Sequence, residues 1–174
     1  TPGKEQHPIN HVNWAQSQAV CKYLGGDLPT EAQWEKAARG GCEVYAGKDC
    51  KTSESLYPWG SATPVCGVNA VMGNSNACAA TMAVGAGSAS GQSPYGAFDM
   101  AGNVWERALD WYDGSFYGAT GATVKDAVNA AVASGRVVRG GGYFDGGSIL
   151  RAAFRGGVDP TGGHHAYGVR CAPP

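Results

Sequence analysis

Glycine is the feature that most restricts the folds available to this chain. It supplies 28 of 174 residues, about 16% where an average protein has roughly 7%. The glycines follow no collagen-like period, and glycine weakens the interiors of helices and strands because it loses more conformational freedom on folding. Five Trp and eight Tyr nevertheless provide material for a packed interior. The sequence therefore predicts a folded domain rich in turns and irregular loops, with few long helices.

The length and the charge of the chain exclude several classes of protein. A chain of 174 residues suits one domain, and we expect a single domain over residues 1–174. The net charge of −1 argues against nucleic acids and anionic membrane surfaces as partners. No stretch approaches the roughly 18 apolar residues of a transmembrane helix, so we predict no membrane span.

The cysteines indicate disulfides rather than a metal or redox site. No pair forms C-x-x-C, which argues against a zinc ribbon or a thioredoxin-type site. Their even number favours three disulfides, with six free thiols as the alternative. Spacing favours two local links, Cys42–Cys50 and Cys66–Cys78, and leaves Cys21 to pair with Cys171. Disulfides favour a cell or virus surface, although the cytoplasm of a hyperthermophile is also compatible.

Two helices are predicted near the N-terminus. The first covers residues 14–24, with Asn13 as its N-cap and Gly25-Gly26 after its end. The second begins at Thr30, where Thr30 and Gln33 have the spacing of a capping box. The inward-facing positions are Trp14, Ser17, Cys21 and Leu24 in the first helix and Trp34, Ala37 and Ala38 in the second.

The remainder of the chain is predicted to be mostly loop, with short strands near the C-terminus. Residues 41–96 contain the two local cysteine pairs and no long periodic pattern. A short helix is expected near Lys125–Ala133. Three strands are expected over Arg136–Gly141, Ser148–Arg155 and Tyr167–Ala172, the last because apolar or aromatic residues alternate along it.

Seven sequence blocks occur in order between Pro8 and Ala172: N-W-A-Q-S-Q-A, L-P-T-E-A-Q-W-E-K-A-A-R-G-G, Y-P-W-G, P-Y-G-A-F-D-M-A-G-N-V-W-E, R-V-V-R-G-G-G-Y, R-A-A-F-R and Y-G-V-R-C-A. Together they resemble the formylglycine-generating-enzyme/sulfatase-modifying-factor family. The resemblance implies an α+β, C-type-lectin-like fold of the formylglycine-generating-enzyme subclass, irregular and Gly-rich, with short antiparallel strands and two helices near the N-terminus. It also implies a Cys21–Cys171 bridge. Relatives begin with further strands, which we expect in a trimmed or preceding segment, or in a separate or cleaved chain.

The resemblance also bears on catalysis. The oxidases of the family have two cysteines just after the block that corresponds to R-G-G-G-Y, and these bind copper. The stretch Tyr143–Leu150 contains no cysteine here. Because thiolate is the ligand that holds soft Cu(I), the comparison implies no copper and none of the family's oxidase chemistry.

Calcium is the cofactor that the resemblance implies. Asp99 and Glu106 would supply carboxylate oxygens, and Gly102 and Val104 would supply backbone carbonyls, which suits a hard cation. A looser match places Asn69, Ala70 and Asn76 at a second calcium site. In the alternative interpretation, Asp99 and Glu106 cap turns and pair with nearby arginines.

The composition of the C-terminal segment is unusual. Residues 136–174 contain no Lys, Glu, Gln, Trp or Met, although these types make up 25 of the preceding 135 residues. Random draws from the earlier composition would omit all five roughly once in several thousand. Diversity-generating retroelements randomise adenines at the 3′ end of a target gene, and an Asn codon so treated can encode every residue type except these five. The segment resembles the variable region of retroelement variable proteins, which use the same lectin-type fold.

This second resemblance separates variable from scaffold positions within residues 136–172. The hypervariable, ligand-binding positions are Gly142, Tyr143, Phe144, Asp145, Gly146, Gly147, Ile149, Phe154, Gly156, Gly157, Val158, Gly162, Gly163, His164, His165, Ala166 and Tyr167. The scaffold positions are Arg139, Leu150, Arg151, Ala152, Arg155, Arg170 and Cys171. The alternative for Phe144 and Phe154 is core packing. A metal pair at His164-His165 is disfavoured against a solvated loop, because adjacent strand residues point to opposite faces.

Three functions are compatible with these patterns. The preferred one is a non-catalytic ligand-binding variable protein, whose ligand is a protein or a surface glycan. The second is an enzyme of the family with a different active site, supported by the fold resemblance alone. The third is a fixed structural or adaptor domain of a surface assembly.

Overall fold

The computed structural model describes residues 3–45, 55–73, 78–86, 89–119, 122, 125 and 127–173. These residues contain two helices, α1 (Trp14–Tyr23) and α2 (Glu31–Arg39), and four strands, β1 (Trp105–Trp111), β2 (Arg136–Arg139), β3 (Arg155–Val158) and β4 (Tyr167–Gly168). The predicted α+β class, with its two helices near the N-terminus, is confirmed.

The chain forms two compact units. The first unit comprises Thr1–Pro8, Glu35–Val104 and Gly140–Phe154, and the second comprises Ile9–Trp34, Trp105–Arg139 and Arg155–Pro174. The core of the first unit consists of Tyr57, Ala70, Met72, Ala101 and Leu150, with Trp59, Cys66 and Ile149 packed against it. The second unit contains the whole sheet and buries Cys21, Leu28, Trp34, Ala108, Val137 and Val138.

The first helix begins where the sequence predicts. The Asn13 side chain accepts a hydrogen bond from the backbone N–H of Gln16, and the Gln16 side chain accepts one from the backbone N–H of Asn13. This capping box satisfies N–H groups that have no partner inside the helix. Ser17 and Cys21 are buried as expected, but Leu24 is 69% exposed, so its predicted inward position is wrong. The helix ends at Tyr23, and the 3.6-residue period no longer applies at its C-cap.

The second helix confirms its predicted cap and its inner face. The Thr30 hydroxyl accepts from the backbone N–H of Gln33 at 3.1 Å, and the Gln33 side chain accepts from the backbone N–H of Thr30 at 2.9 Å. Trp34 and Ala38 are buried. Neither helix has the length or the apolar character needed to cross a bilayer, in so far as the chain is described.

The four strands form one mixed sheet in the order β3-β2-β1-β4. β2 lies between β1 and β3 and is antiparallel to both, with Glu106 opposite Arg139 and Arg139 opposite Arg155. β4 is parallel to β1, with Trp105 opposite Tyr167. The expectation of antiparallel strands therefore holds for two of the three pairings and is wrong for the third.

Two predicted elements are wrong. Residues 148–154 form turns instead of a strand, and β3 begins only at Arg155. Backbone hydrogen bonds close these turns, from Leu150 N–H to Gly147 O at 3.2 Å and from Phe154 N–H to Arg151 O at 2.8 Å. The predicted strand from Tyr167 is also shorter than expected, because β4 ends at Gly168.

The helix expected near Lys125–Ala133 is not formed by the described residues 127–133. This stretch instead bonds to β1. The backbone N–H of Asn129 donates to the Asp110 carboxylate at 2.8 Å, and the backbone N–H of Trp111 donates to Asn129 O at 2.9 Å. Asp110 is fully buried, and burial raises the pKa of its carboxyl. These tertiary bonds override a local helical preference.

Both partners are described for two of the three expected disulfides. Cys21 is bonded to Cys171 in the second unit, and Cys66 is bonded to Cys78 in the first. Cys42 is disulfide-bonded as well, and its predicted partner Cys50 lies outside the described residues. No described cysteine is free.

Candidate ligand-binding site

The carboxylate of Glu31 fixes two of the predicted scaffold arginines. It accepts hydrogen bonds from Nε and Nη2 of Arg155 at 2.6 and 2.8 Å, and Nε of Arg139 lies 3.5 Å away. Glu31 and Arg139 are fully buried. Glu31 is also the first residue of α2, where the helix dipole favours a negative charge. Bonding to Glu31 raises the pKa of the Arg155 guanidinium, so the ion pairs connect β2 and β3 to the start of α2.

Glu106 of β1 fixes a third scaffold arginine. It accepts hydrogen bonds from Nε and Nη2 of Arg170, both at 2.7 Å, and from the Trp34 indole N–H at 2.6 Å. Such bidentate pairs are the stronger kind of ion pair in proteins. The segment after β4 is thus bonded to the sheet next to the Cys21–Cys171 disulfide.

Six of the eight variable positions of the first unit lie in a tight loop, residues 142–147, called here the aromatic loop, and the other two are Ile149 and Phe154. The backbone N–H of Gly142 donates to the Asp145 carboxylate at 2.8 Å, and the backbone N–H of Asp145 donates to Gly142 O at 3.0 Å. The Tyr143 and Phe144 rings meet edge to face with centroids 5.5 Å apart. Phe144 is 47% exposed, so core packing does not describe its position.

The variable positions of the second unit lie on β3 and in residues 162–167, called here the histidine loop. Gly162, Gly163, His164 and His165 are exposed, and Tyr167 is half-buried. The His164 and Tyr167 ring centroids are 5.1 Å apart. This loop therefore presents imidazole and phenol groups to solvent.

Most variable positions are accessible, whereas three of the seven scaffold positions are buried and Arg155, Arg170 and Cys171 are half-buried. Of the seventeen variable positions, only Gly142 and Ala166 are buried. Among the scaffold positions, Arg139, Leu150 and Ala152 are fully buried, and Arg151 is exposed. Ligand contact at Gly142 and Ala166 is therefore not supported by their accessibility.

The glycines among the variable positions fall into two groups. A Cβ at Gly146 or Gly162 would meet nothing within 4 Å. A Cβ at Gly163 would lie 2.3 Å from the backbone oxygen of His11, and one at Gly157 would lie 2.6 Å from the Tyr112 ring. The first group can accept side chains, and the second is restricted to glycine unless the neighbouring residues move.

We expect Gly163→Ala to lower the free energy of unfolding by about 1–3 kcal/mol, because the added carbon overlaps a backbone oxygen. Gly162→Ala is the matched control, and we expect it to leave stability unchanged or to raise it by up to about 1 kcal/mol. Urea unfolding of the two variants measures the difference. Equal stabilities would contradict the observed close approach of Gly163 to His11.

The residues of the first predicted calcium site already bond to other groups. The Asp99 carboxylate accepts from the backbone N–H of Gly85 at 2.6 Å, and Glu106 accepts from Arg170 and Trp34. A calcium ion would have to compete with Arg170 for both oxygens of Glu106, so this residue fits a salt-bridged carboxylate better than a ligand. Gly102 adopts φ +90°, and it and Val104 are buried. Calcium binding here stays a prediction.

The second predicted calcium site is only partly described. The Asn69 side chain accepts from the backbone N–H of Val65 at 2.7 Å and donates to Thr63 O at 3.4 Å. Ala70 is buried in the core of the first unit, and Asn76 lies outside the described residues. No group of three or more His, Cys, Asp or Glu side chains in the described ranges is arranged to hold a metal ion.

Sequence reasoning missed residues beside the histidine loop. The His11 ring lies 6.2 Å from the His165 ring, the Asn10 amide donates to His165 O at 2.8 Å, and fully buried Arg107 donates to Gly162 O at 2.7 Å. These residues lie far from the variable segment along the chain. No spacing pattern in a single sequence brings them together.

Known proteins are similar to this chain in sequence. A family model described as "Sulfatase-modifying factor enzyme 1-like domain" matches residues 1–173. "Serine/threonine-protein kinase pkn1" of Chlamydia pneumoniae is 32% identical over 174 residues, covering 98% of this chain and 25% of that protein. "Formylglycine-generating enzyme" of Streptomyces coelicolor is 32% identical over 181 residues, covering 98% and 54%. The chain thus spans between a quarter and about half of the length of these relatives.

Solved structures share the fold. "Treponema denticola variable protein 1" superposes with a TM-score of 0.70 at 22% identity, over 99% of this chain and 74% of that one. "Major Tropism Determinant P3c Variant" gives a TM-score of 0.51 at 18% identity, over 91% and 36%.

The two helices, the mixed sheet and these superpositions define an α+β domain with the C-type-lectin-like fold of the formylglycine-generating-enzyme subclass. Because the family model matches nearly the whole chain, the chain belongs to the sulfatase-modifying factor enzyme 1-like family.

Proposed function

We propose that this chain is a non-catalytic, ligand-binding variable protein of a diversity-generating retroelement, with its diversified positions in residues 136–172. The observation that carries the proposal is the agreement between burial and sequence pattern. Fifteen of the seventeen variable positions are at least partly exposed, whereas Arg139, Leu150 and Ala152 of the scaffold are fully buried. Exposed positions with free space around them can change without loss of the fold, whereas Gly157 and Gly163 are exposed but closely approached. Loops on a rigid scaffold commonly bind ligands.

Composition and fold support the same function independently. The five residue types missing from residues 136–174 are the types that adenine mutagenesis of Asn codons cannot produce. Two proteins with the same fold bear the names "variable protein 1" and "Major Tropism Determinant".

The ligand is a protein or a glycan, and each unit offers its own contact surface, the aromatic loop in the first unit and the histidine loop in the second. Tyr143, Phe144 and Tyr167 supply large contact area at a low cost in side-chain entropy. The disulfides support a cell or virus surface as the location.

An enzyme of the family with a different active site is the second candidate, favoured by the 32% identity to the Streptomyces coelicolor formylglycine-generating enzyme. Two observations support the non-catalytic proposal. Residues 140–150 contain no cysteine, and the described cysteines are all disulfide-bonded, so none supplies a thiolate for copper. We expect Cu(I) titration to show no stoichiometric binding and a Cys-containing peptide to cause no oxygen consumption. Either signal would favour the enzyme.

A randomised library tests the variable positions. The codons of these positions are changed to N-N-pyrimidine, the variants are displayed on a cell surface, and resistance to protease reports folding. We expect most residue types to preserve the fold at Phe144, Gly146 and His165. Because Leu150 and Ala152 are buried, the same randomisation there should preserve it only for small or similar apolar types. Equal tolerance at the two sets of positions would contradict the proposal.

The DNA beside the gene tests the origin of the segment. We expect a near-copy of codons 136–172 that is rich in A-A-C, next to a reverse transcriptase gene. If sister copies of the gene differ at scattered positions instead, the chain is a fixed adaptor domain.

A further inference from the structure

Three of the four histidines of this chain lie together on the second unit. The ring centroids of His164 and His165 are 3.9 Å apart, and those of His11 and His165 are 6.2 Å apart. All three residues are exposed. These residues are called here the histidine patch, and His11 is its member outside the variable segment.

Backbone and side-chain hydrogen bonds hold the patch in place. The backbone N–H of His11 donates to His164 O at 3.1 Å, and the Asn10 amide donates to His165 O at 2.8 Å. The backbone N–H of Tyr167 donates to His164 O at 3.0 Å. His11 adopts φ +59°, in the left-handed region that few non-glycine residues occupy. The fold therefore brings the backbones of His11, His164 and His165 close together.

A buried cation lies against the same loop. Arg107 of β1 is fully buried, and its Nη2 donates to Gly162 O at 2.7 Å. Its Nε and Nη1 are buried and have no hydrogen-bond partner among the described residues. The guanidinium carbon lies 5.3 Å from the centroid of the Tyr167 ring. A buried guanidinium with unpaired donors is costly, and it adds positive potential to the histidine loop.

Three charged or titratable groups lie beside the histidine loop among the described residues. The Tyr167 ring lies 5.1 Å from that of His164, Arg107 of β1 lies against Tyr167, and Asp159 from the turn after β3 interacts electrostatically with Arg107. Hydrogen bonds from Thr161 lower the pKa of Asp159, so it stays ionised at mildly acidic pH. Burial lowers the pKa of His164, and the neighbouring His165 and His11 lower it further. Asp159 and Arg107 interact electrostatically, so Asp159 is the acidic group that offsets the positive charge of Arg107 beside the histidine loop.

We propose that the histidine patch, with Arg107 beneath it, binds an oxyanion group of a ligand, and that it does so more tightly when its imidazoles are protonated. The chemistry is that of a carboxylate, sulfate or phosphate, whose oxygens can accept hydrogen bonds from several imidazolium groups at once. The absence of a metal-binding arrangement in the described ranges favours an anion over a metal ion. This inference specifies the ligand chemistry at the histidine loop and in that respect rests on the proposed function.

The direction of the pH effect follows from linkage. A bound anion favours the charged form of the imidazoles, so binding takes up protons. Affinity therefore rises as the pH falls from 7.5 to 5.5, the range that includes ordinary histidine titration.

Calorimetry with heparin, a sulfated polymer, and with inorganic phosphate tests the inference at pH 5.5 and 7.5. We expect heparin to bind at least about tenfold more tightly at pH 5.5. His11→Gln and His165→Gln should each weaken binding at pH 5.5 about fivefold and flatten the pH dependence. His7→Gln is the matched control, because His7 is half-buried in the first unit and bonded to Thr81 at 3.0 Å, and it should leave affinity unchanged. If phosphate binds, a free anion is sufficient as a ligand of the patch. If heparin binds and phosphate does not, the ligand must be a polymer.

The outcomes separate this inference from the proposed function. The inference is overturned if heparin affinity does not change with pH or is unaffected by both patch substitutions. In that case a tolerant library would still support the variable-protein function. If the library is intolerant but heparin binding is intact and depends on pH, the proposed variable-protein function is overturned and the oxyanion site remains.

Discussion

Replacing both Cys21 and Cys171 with alanine lowers the free energy of unfolding by about 5 kcal/mol. The disulfide joins residues 150 positions apart, so it removes a large loop-closure entropy from the unfolded chain. Typical domains are stable by only about 5–15 kcal/mol, so this loss is between about a third and the whole of the free energy of unfolding of such a domain. Urea denaturation under oxidising conditions, compared with the unchanged protein, measures the effect.

The Cys66–Cys78 disulfide provides the matched control. Its sequence separation is 12, so the same chain-entropy relation gives a loss of about 3 kcal/mol for the Cys66→Ala/Cys78→Ala variant. Each double substitution removes a disulfide with one buried and one half-buried cysteine, and the two differ chiefly in loop length. If the two double variants were equally destabilised, loop entropy would not be the main contribution of the longer disulfide.

The N-terminal helices could be predicted from the sequence because their determinants are local. Asn13 and Gln16 lie within one turn of each other, as do Thr30 and Gln33, and each pair closes its own capping box. The wrong position for Leu24 arises because periodicity does not show where a helix ends.

The strands were harder to predict because their determinants are distant along the chain. β1 lies inside the motif-rich stretch 97–113, where no strand was predicted. Its burial on nearly every residue hides the alternation that identifies a half-exposed strand. The opposite error at residues 148–154 arose from apolar residues that pack from turns, as Leu150 does in the core of the first unit.

The candidate site could be predicted in part. Composition and block order indicated which C-terminal positions face solvent, and the structure places Phe144, His164 and His165 at the surface. Neither signal could identify His11 or Arg107, because the fold alone brings them beside the histidine loop. The same holds for Glu31, which the sequence marks only as a first-turn acid and which the structure buries between two arginines.

Replacing Glu31 with alanine lowers the free energy of unfolding by about 3–5 kcal/mol, because it leaves a buried charge without its partner. Arg139 is fully buried and lies 3.5 Å from Glu31, and Arg155 donates two hydrogen bonds to the same carboxylate. Arg155 is partly exposed and can recover hydration, but Arg139 cannot. Thermal and urea unfolding followed by circular dichroism measure the loss.

Glu35→Ala is the matched control for this loss, since it removes a glutamate from the same helix. Glu35 pairs with Arg39 at 2.9 Å with both side chains about one-third exposed, and such pairs contribute roughly 0.3–0.5 kcal/mol. A further variant, Glu31→Leu with Arg139→Met, removes both buried charges and should recover part of the stability that Glu31→Ala loses. If it is no more stable than Glu31→Ala, the loss comes from packing at Glu31 rather than from the stranded charge of Arg139.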